Sequence, residues 1–352
     1  MPYQDARAYS AARFMLQLDG ATAGSLASAE GGLAVADVVE EKLGPDQVVR
    51  KHIAQPKYTD IQLGFGPGMS PNVYQWITDT LDHKHLRKSG VVVTSDYDLK
   101  ERERLTFTNA LISRVDFPAL TAAAKDSAKL TLSLAPEVTK REKGSGTKVS
   151  YPVDAKGQTR WLPADFKLEI AGLDCTGVSM VEPISIRVVM VEDAVGEMRD
   201  YQKAPAHIEL SDLVVTLTEA KADLFYAWHE DFVIKGNNTE NYEKSGKLEF
   251  RSPAQTALFT LSFAGLGIYK LASTQAAGPD AIRRVTASMY CQEMAFSLGS
   301  GAPAAPVQPP APPPSPSGET PSSEQSPGSS ELTPVVLSGD YPGRFTRIRT
   351  TV

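Results

Sequence analysis

A few short stretches carry residue types that could do chemistry. Gly64-Phe65-Gly66-Pro67-Gly68-Met69-Ser70 leads from an expected strand into an expected helix, where glycine-rich loops present backbone N–H groups to phosphate. Pro67 removes one donor, no Gly-Lys-Ser/Thr follows, and the matching later stretch Thr216-Leu217-Thr218-Glu219-Ala220 has no glycine, so a flexible turn suffices. His83 and His85 would share a face of an extended segment, but Lys84, Arg87 and Lys88 flank them and no third ligand is evident; a solvated basic turn is expected. Trp228-His229-Glu230-Asp231 sets an imidazole beside two carboxylates, the materials of acid–base catalysis. On a helix His229 and Asp231 point to different faces, and no nucleophile is placed by pattern. Cys175 and Cys291 are expected in a core as small apolar residues, and Asn237-Asn238-Thr239 reads as a polar loop. The expectation is a chain that is no enzyme, with no catalytic, cofactor-binding or metal-binding residues.

Composition narrows the class further. In 352 residues, 36 lysines and arginines face 42 aspartates and glutamates, a net charge of -6 that argues against nucleic-acid recognition through a broad basic face. Two cysteines are too few for a disulfide scaffold. The start, Met1-Pro2-Tyr3-Gln4-Asp5, lacks the basic-then-apolar pattern of a secretory signal, so a reducing cytosol is the expected origin. No apolar run approaches the ~20 residues that span a bilayer as a helix, and membrane insertion is not expected.

What remains is organisation. Of the 25 prolines, 11 fall between Pro303 and Pro334 among alanine, serine and glycine. Such a stretch buries too little apolar surface to offset its ordering entropy and reads as a disordered linker over 300–333. Residues 334–352 regain apolar and basic character and read as a frayed terminus or as a strand that docks on a neighbour. A polar stretch around Lys140–Thr147 divides the rest, and the two sides repeat one another. Phe14-Met15-Leu16-Gln17-Leu18-Asp19-Gly20 matches Phe166-Lys167-Leu168-Glu169-Ile170-Ala171-Gly172 at an offset of 152. The same offset pairs Glu30 with Glu182, Val39-Glu40 with Val191-Glu192, Asp60 with Asp212, and Tyr74-Gln75-Trp76 with Tyr226-Ala227-Trp228. Beyond the tryptophans it drifts by three or four, aligning Phe107 with Phe263. The reading is a tandem duplication: domain 1 over 1–140, a linker over 141–163 and domain 2 over 164–299, each of ordinary domain size.

Each copy reads mostly as strands. Apolar residues alternate at Leu130, Leu132 and Leu134, at Ile184, Ile186 and Val188, and at Phe259, Leu261 and Phe263. One helix interrupts each run. Ser70-Pro71 is an N-cap and first-turn pair, and Val73, Trp76, Ile77 and Leu81 share a helical face; Phe225, Trp228 and Phe232 repeat the stripe. The expected fold is mainly β: two tandem barrel or sandwich domains, each with one packed α-helix whose tryptophan enters the core, plus the proline-rich tail.

Over about residues 12–140 the first copy runs through a succession of pieces: Leu16-Gln17-Leu18-Asp19-Gly20; Ala23-Gly24; Val38-Val39-Glu40-Glu41-Lys42-Leu43-Gly44 through Val49-Arg50-Lys51-His52; Pro56-Lys57-Tyr58 with Ile61-Gln62-Leu63; the Trp76 helix; Arg87-Lys88-Ser89-Gly90; Phe107-Thr108-Asn109-Ala110; and Leu134-Ala135-Pro136-Glu137. In this order and spacing the first copy resembles the myophage-type phage tail tube protein family, which also forms the inner tubes of contractile injection systems. Two pieces depart from the pattern. Leu63-Gly64-Phe65-Gly66 stands where the family has Leu-Lys-Arg-Gly, and Leu105 lies near the place of a family tryptophan. The second copy is assigned through the internal repeat.

The resemblance implies a structural role without chemistry or cofactor. In the family, six domains close a ring by sheet pairing around a lumen, and rings stack into a tube. A tandem chain would build a pseudo-hexameric ring from three copies, or place its halves in consecutive rings. The expectation is a tube, tube-initiator or hub-like protein of a phage tail or contractile injection system. Its partners would be itself and tube, sheath or baseplate proteins, in a cytoplasmic assembly or a virion-like particle. The alternative is an adaptor or cargo-binding protein that reuses the fold, with the C-terminal segment as docking peptide. A tube protein needs both sheet edges free, whereas an adaptor would blunt one, and Lys203-Ala204-Pro205-Ala206-His207 is the candidate for a blunted edge.

Overall fold

Alternation in the sequence becomes burial on one side of each strand. Leu130, Leu132 and Leu134 are buried together, as are Phe259, Leu261 and Phe263, and Ile184, Ile186 and Val188. The computed structural model describes residues 13–42, 49–124, 126–151, 161–193, 201–274 and 282–299. The proline-rich segment and the C-terminal segment lie outside the described residues, as does part of the expected linker at 152–160.

The first half runs β1 (Arg13–Leu18), β2 (Ala21–Leu26), β3 (Ser28–Gly31), β4 (Ala34–Lys42), β5 (Val49–Tyr58), β6 (Ile61–Phe65), α1 (Pro71–Leu81), β7 (Lys88–Ser95), β8 (Glu101–Phe117), β9 (Leu120–Thr121), β10 (Leu130–Ala135) and β11 (Val138–Lys143). The second runs β12 (Phe166–Ile170), β13 (Val178–Val181), β14 (Ile184–Asp193), β15 (Gln202–Leu210), β16 (Leu213–Thr218), α2 (Asp223–His229), β17 (Lys244–Arg251), β18 (Ala257–Thr274) and β19 (Arg284–Leu298). The fold is therefore mainly β, with one α-helix in each half among the described residues.

Local chemistry accounts for the elements. Asp19 and Gly20, with φ of 49° and 82°, form the two-residue turn that closes β1 onto β2, a geometry open to Asp-Gly because both positions need positive φ. Ser70 stands extended before α1, and Pro71 fills the first turn, where no N–H partner is needed. Val73, Tyr74, Trp76, Ile77, Thr80 and Leu81 form the buried stripe of α1. The second helix is shorter and passes into a π-helical turn at Glu230–Ile234. Only Phe225, Trp228 and Phe232 of this stretch are buried.

Sheet order repeats between the halves. The first sheet runs along the path β2-β1-β7-β8-β10-β6-β3 and the second along β12-β17-β18-β19-β16-β13-β9, every pair antiparallel. β12 takes the place of β1, β17 of β7, β18 of β8, β19 of β10, β16 of β6 and β13 of β3. Irregularities recur as well: the register shift between Lys88 and Gly90 in β7 returns between Lys244 and Gly246 in β17. The halves share one apolar core. Phe117 stacks on Phe250 at 5.4 Å between ring centroids, and Trp161 meets Phe250 and Phe259 edge-on at 5.4 and 5.9 Å.

Candidate assembly interface

The halves meet edge to edge, because β14 adds to β8. Ile184 lies opposite Phe117, Ile186 opposite Val115 and Arg187 opposite Arg114. Arg114 holds the joint from its polar side, its Nε donating to Ser185 Oγ at 3.0 Å and to Asp116 Oδ1 at 2.8 Å. Farther along, β9 pairs β13, with Leu120 opposite Val181. The helix α1 leans across the same joint. Tyr74 packs against Phe259 at 5.2 Å and Phe296 at 6.3 Å, and Thr78 Oγ1 donates to the Phe296 carbonyl at 3.2 Å. Burial pushes the Tyr74 hydroxyl pKa well above its usual range, so this ring is neutral packing material.

β15 is fastened to the first half by two cations. The Arg87 guanidinium donates to the Lys203 carbonyl at 2.6 Å, and the Lys203 ammonium donates to the Tyr58 carbonyl at 3.0 Å. Lys203 is 5% exposed. The segment considered as a blunted outer edge thus begins with a residue buried at the internal joint.

Each half carries a β-hairpin and a long strand with an edge beyond its pairing partner, and one hairpin and one edge have no described neighbour. The β4–β5 hairpin pairs only with itself among the described residues. It exposes Val35, Val38, Val39, Val49 and Ile53, the last at 69%. The counterpart of the β8 edge is the end of β18, where Lys270–Ser273 has β19 on one side and no described strand on the other. Leu224, Tyr226, Val233 and Ile234 are exposed on α2 and the turn that follows it. Tyr226 is the repeat counterpart of Tyr74, which is buried at 1%.

Parts of the chain are similar to three solved structures. The chain is similar to an electron cryo-microscopy structure of the PVC sheath–tube complex of an extracellular contractile injection system in the extended state. Identity is 17% with a TM-score of 0.34, over 40% of this chain and 94% of that one. It is similar to the tube-terminating cap of the anti-feeding prophage at 18% identity and a TM-score of 0.34, over 39% and 93%. A chain of the anti-feeding prophage baseplate matches at 12% identity and a TM-score of 0.31, over 38% and 91%. No family profile matches the chain, and neither does any curated protein.

The residues singled out for chemistry are placed as follows. Along Gly64–Ser70 the backbone donors turn inward: Ser70 N–H donates to the Ala23 carbonyl at 2.7 Å, and Met69 N–H meets the Tyr74 hydroxyl at 3.4 Å. His83 and His85 stand 6.2 Å apart between ring centroids, and burial, then the charge of His83, lowers the His85 pKa. Asp231 accepts from Asn237 Nδ2 at 2.8 Å, while Glu230 pairs with Lys235 at 3.1 Å, so both carboxylates beside His229 are engaged elsewhere. Among the described residues, no group of three or more His, Cys, Asp or Glu is arranged to hold a metal. No described helix is long and apolar enough to cross a membrane. Cys175 and Cys291 are half-buried at the margin of the core rather than inside it. Burial raises both thiol pKa values, that of Cys291 to about 11.

Sequence reasoning missed Trp161 and Tyr151, and read Lys203 as part of an outer edge rather than of the internal joint. Trp161 and Tyr151 fall in the stretch expected as a linker, yet Trp161 is 1% exposed and Tyr151 shares a 2.6 Å hydrogen bond with buried Ser95. Their aromatic character inside a polar stretch was the available signal. Lys203 carried none, since nothing local marks a lysine that reaches across to the other half.

Proposed function

We infer that this chain is a structural component of a phage tail or contractile injection system, a tube, tube-initiator or hub-like protein that assembles into rings. Each half is a tube-type domain arising from tandem duplication, over about 1–140 and 164–299, and the rings are hexameric or trimeric and pseudo-hexameric. The observation that carries the reading is the repeated sheet order together with the edge-to-edge joint between the halves. Side-by-side addition of one tube-type sheet to the next is the step that builds a ring, and an edge and an apolar hairpin without partners among the described residues remain for further steps. The succession of tail-tube-like pieces over residues 12–140 supports the same family, and the subject of the similar structures agrees with it. The partners are further copies of the chain and neighbouring tube, sheath or baseplate proteins. The role needs no catalytic group.

Negative-stain electron microscopy of the purified full chain tests this. Rings or stacks of rings are expected, with three-fold symmetry indicating two domains per chain in each ring. Compact single particles at high concentration, with a monomer mass by light scattering, would overturn it.

A further inference from the structure

The internal joint has a donor side and an acceptor side. The first half donates the β8 edge and α1, and the second accepts them with the β14–β15 hairpin and the β18–β19 face that carries Phe259 and Phe296. Repetition leaves the corresponding set without a described neighbour: the β18 edge and α2 at one end, and the β4–β5 hairpin at the other. Burial records what the missing neighbour would do. Val115 is 3% exposed beneath β14, whereas its counterpart Leu271 is half-buried with no described strand over it.

We propose that the β4–β5 hairpin of one copy adds to the β18 edge of a second copy of this chain, with Ala34 opposite Leu271 and Val35 opposite Lys270. This rests on the ring-building reading and names its contact. Register follows from the repeat. In the hairpins, Ala34 pairs Tyr58 as Ile186 pairs Leu210, an offset of 152 on both strands. In the long strands, Gly90 pairs Phe107 as Gly246 pairs Phe263, an offset of 156. Applied to Ile186 opposite Val115 and Arg187 opposite Arg114, these offsets give the two pairs named. Opposed residues share a face of the sheet, so the larger Leu271 meets the smaller Ala34 where Val115 meets Ile186 internally. The exposed apolar residues of the hairpin then gain a neighbour, and so does α2, which would lean over the first half of the next copy as α1 leans over the second half of its own.

The contact between copies is more polar than the internal one. Where the second half offers Phe259 and Phe296 to Tyr74, the first half offers the ion pair of Glu103 and Arg141 at the corresponding positions. A helix docked there through Tyr226 leaves those charges close to water, which suits a surface exposed before assembly. The joint is head-to-tail, so each copy uses its hairpin on one neighbour and its edge on the other, and successive joints close a ring if the rotation closes.

Cysteine cross-linking tests the register in the full chain after Cys175→Ser and Cys291→Ser. One version carries Ala34→Cys with Leu271→Cys and another Val35→Cys with Lys270→Cys, because adjacent opposed pairs differ in their fitness for a disulfide. Ile186→Cys with Val115→Cys serves as the internal standard, expected to bridge within one chain. Air oxidation should give reducible dimers and higher multiples on a denaturing gel for at least one in-register pair. None should form for the displaced pair Val38→Cys with Leu271→Cys. Ala34, Val35 and Lys270 are exposed, so the second version leaves the core untouched. Rings seen by microscopy without bridging at either in-register pair, or with bridging only at the displaced pair, would overturn the joint and leave the ring reading standing. A chain that remains monomeric and unbridged would overturn both.

Discussion

Trp76 and Trp228 occupy equivalent places in the two halves and differ by one hydrogen bond, which makes the pair a quantitative test. Both are buried, at 1% and 7% exposure. Both lie under a lysine: Lys88 Nζ stands 6.0 Å from the Trp76 ring centroid, and Lys244 Nζ 5.3 Å from that of Trp228. Trp76 Nε1 donates to the Leu86 carbonyl at 2.8 Å, whereas Trp228 Nε1 meets no acceptor among the described residues. Alanine at either site removes the whole ring system and is expected to cost about 3–5 kcal/mol. Phenylalanine separates the two terms. It leaves a ring in the pocket, and the lost volume is alike at both sites and cancels in the comparison. At Trp76 the substitution also removes a hydrogen bond worth about 0.5–1.5 kcal/mol, kept near the low end because Leu86 is exposed and water can take its carbonyl. At Trp228 it removes a buried donor whose desolvation is uncompensated, a relief of about 1–3 kcal/mol. Trp76→Phe should therefore destabilise the chain by about 1.5–3.5 kcal/mol more than Trp228→Phe, read from urea titrations of the full chain with unchanged slope. Equal losses, or a larger loss at Trp228, would refute the hydrogen-bond argument.

Acid sensitivity should concentrate at Glu101, which is 4% exposed and accepts from Arg104 Nε at 2.8 Å and Ser145 Oγ at 2.7 Å. These bonds, Arg104 first, hold its pKa below the usual carboxylate value near 4.5. Because the folded-state pKa is depressed, its stabilisation is complete above about 4.5 and is lost as pH falls through the folded value. The melting temperature should thus fall more steeply below pH 4.5 in the parent chain than in Glu101→Gln, and parallel acid limbs would refute this. The Cys291 thiol, pushed up to about 11 chiefly by burial, should alkylate at pH 8 roughly a hundredfold more slowly than an exposed thiol. Mass spectrometry after timed iodoacetamide exposure measures this, and a rate within threefold of the exposed thiol would contradict the burial.

Much of the architecture was legible in residue patterns because it is set by neighbours in the chain. Alternation at Leu130–Leu134 and Phe259–Phe263 reports which face of a strand meets the core. Asp19-Gly20 and Ser70-Pro71 state their turn and helix start in backbone preferences alone. The 152-residue offset between Phe14–Gly20 and Phe166–Gly172 carried the repeat, since equal patterns at equal spacing pose the same folding problem twice. The expectation that Gly64–Ser70 is a turn also rested on local features, the missing donor at Pro67 and the absent Gly-Lys pair.

Contacts between distant segments were decided only in three dimensions. Tyr74 and Tyr226 are the same residue at matching positions, yet one is sealed against Phe259 and Phe296 and the other is exposed. What differs is whether another half of the chain lies beside the helix, and no local pattern encodes that. Trp161 enters the core from a stretch that composition marks as a connector, because the space between Phe250 and Phe259 exists only once β17 and β18 have paired. The cysteines were expected inside the core and lie at its margin, since average burial by residue type says nothing of how far a given strand extends beyond its neighbours. The sequence by itself determined the strand and helix content, the turns and the repeat, all of which follow from backbone preferences and side-chain periodicity within a few residues. Tertiary structure decided that the halves join edge to edge through β8 and β14, and which edge and hairpin have no partner among the described residues, because hydrogen bonds between strands belong to pairs of segments far apart in the chain.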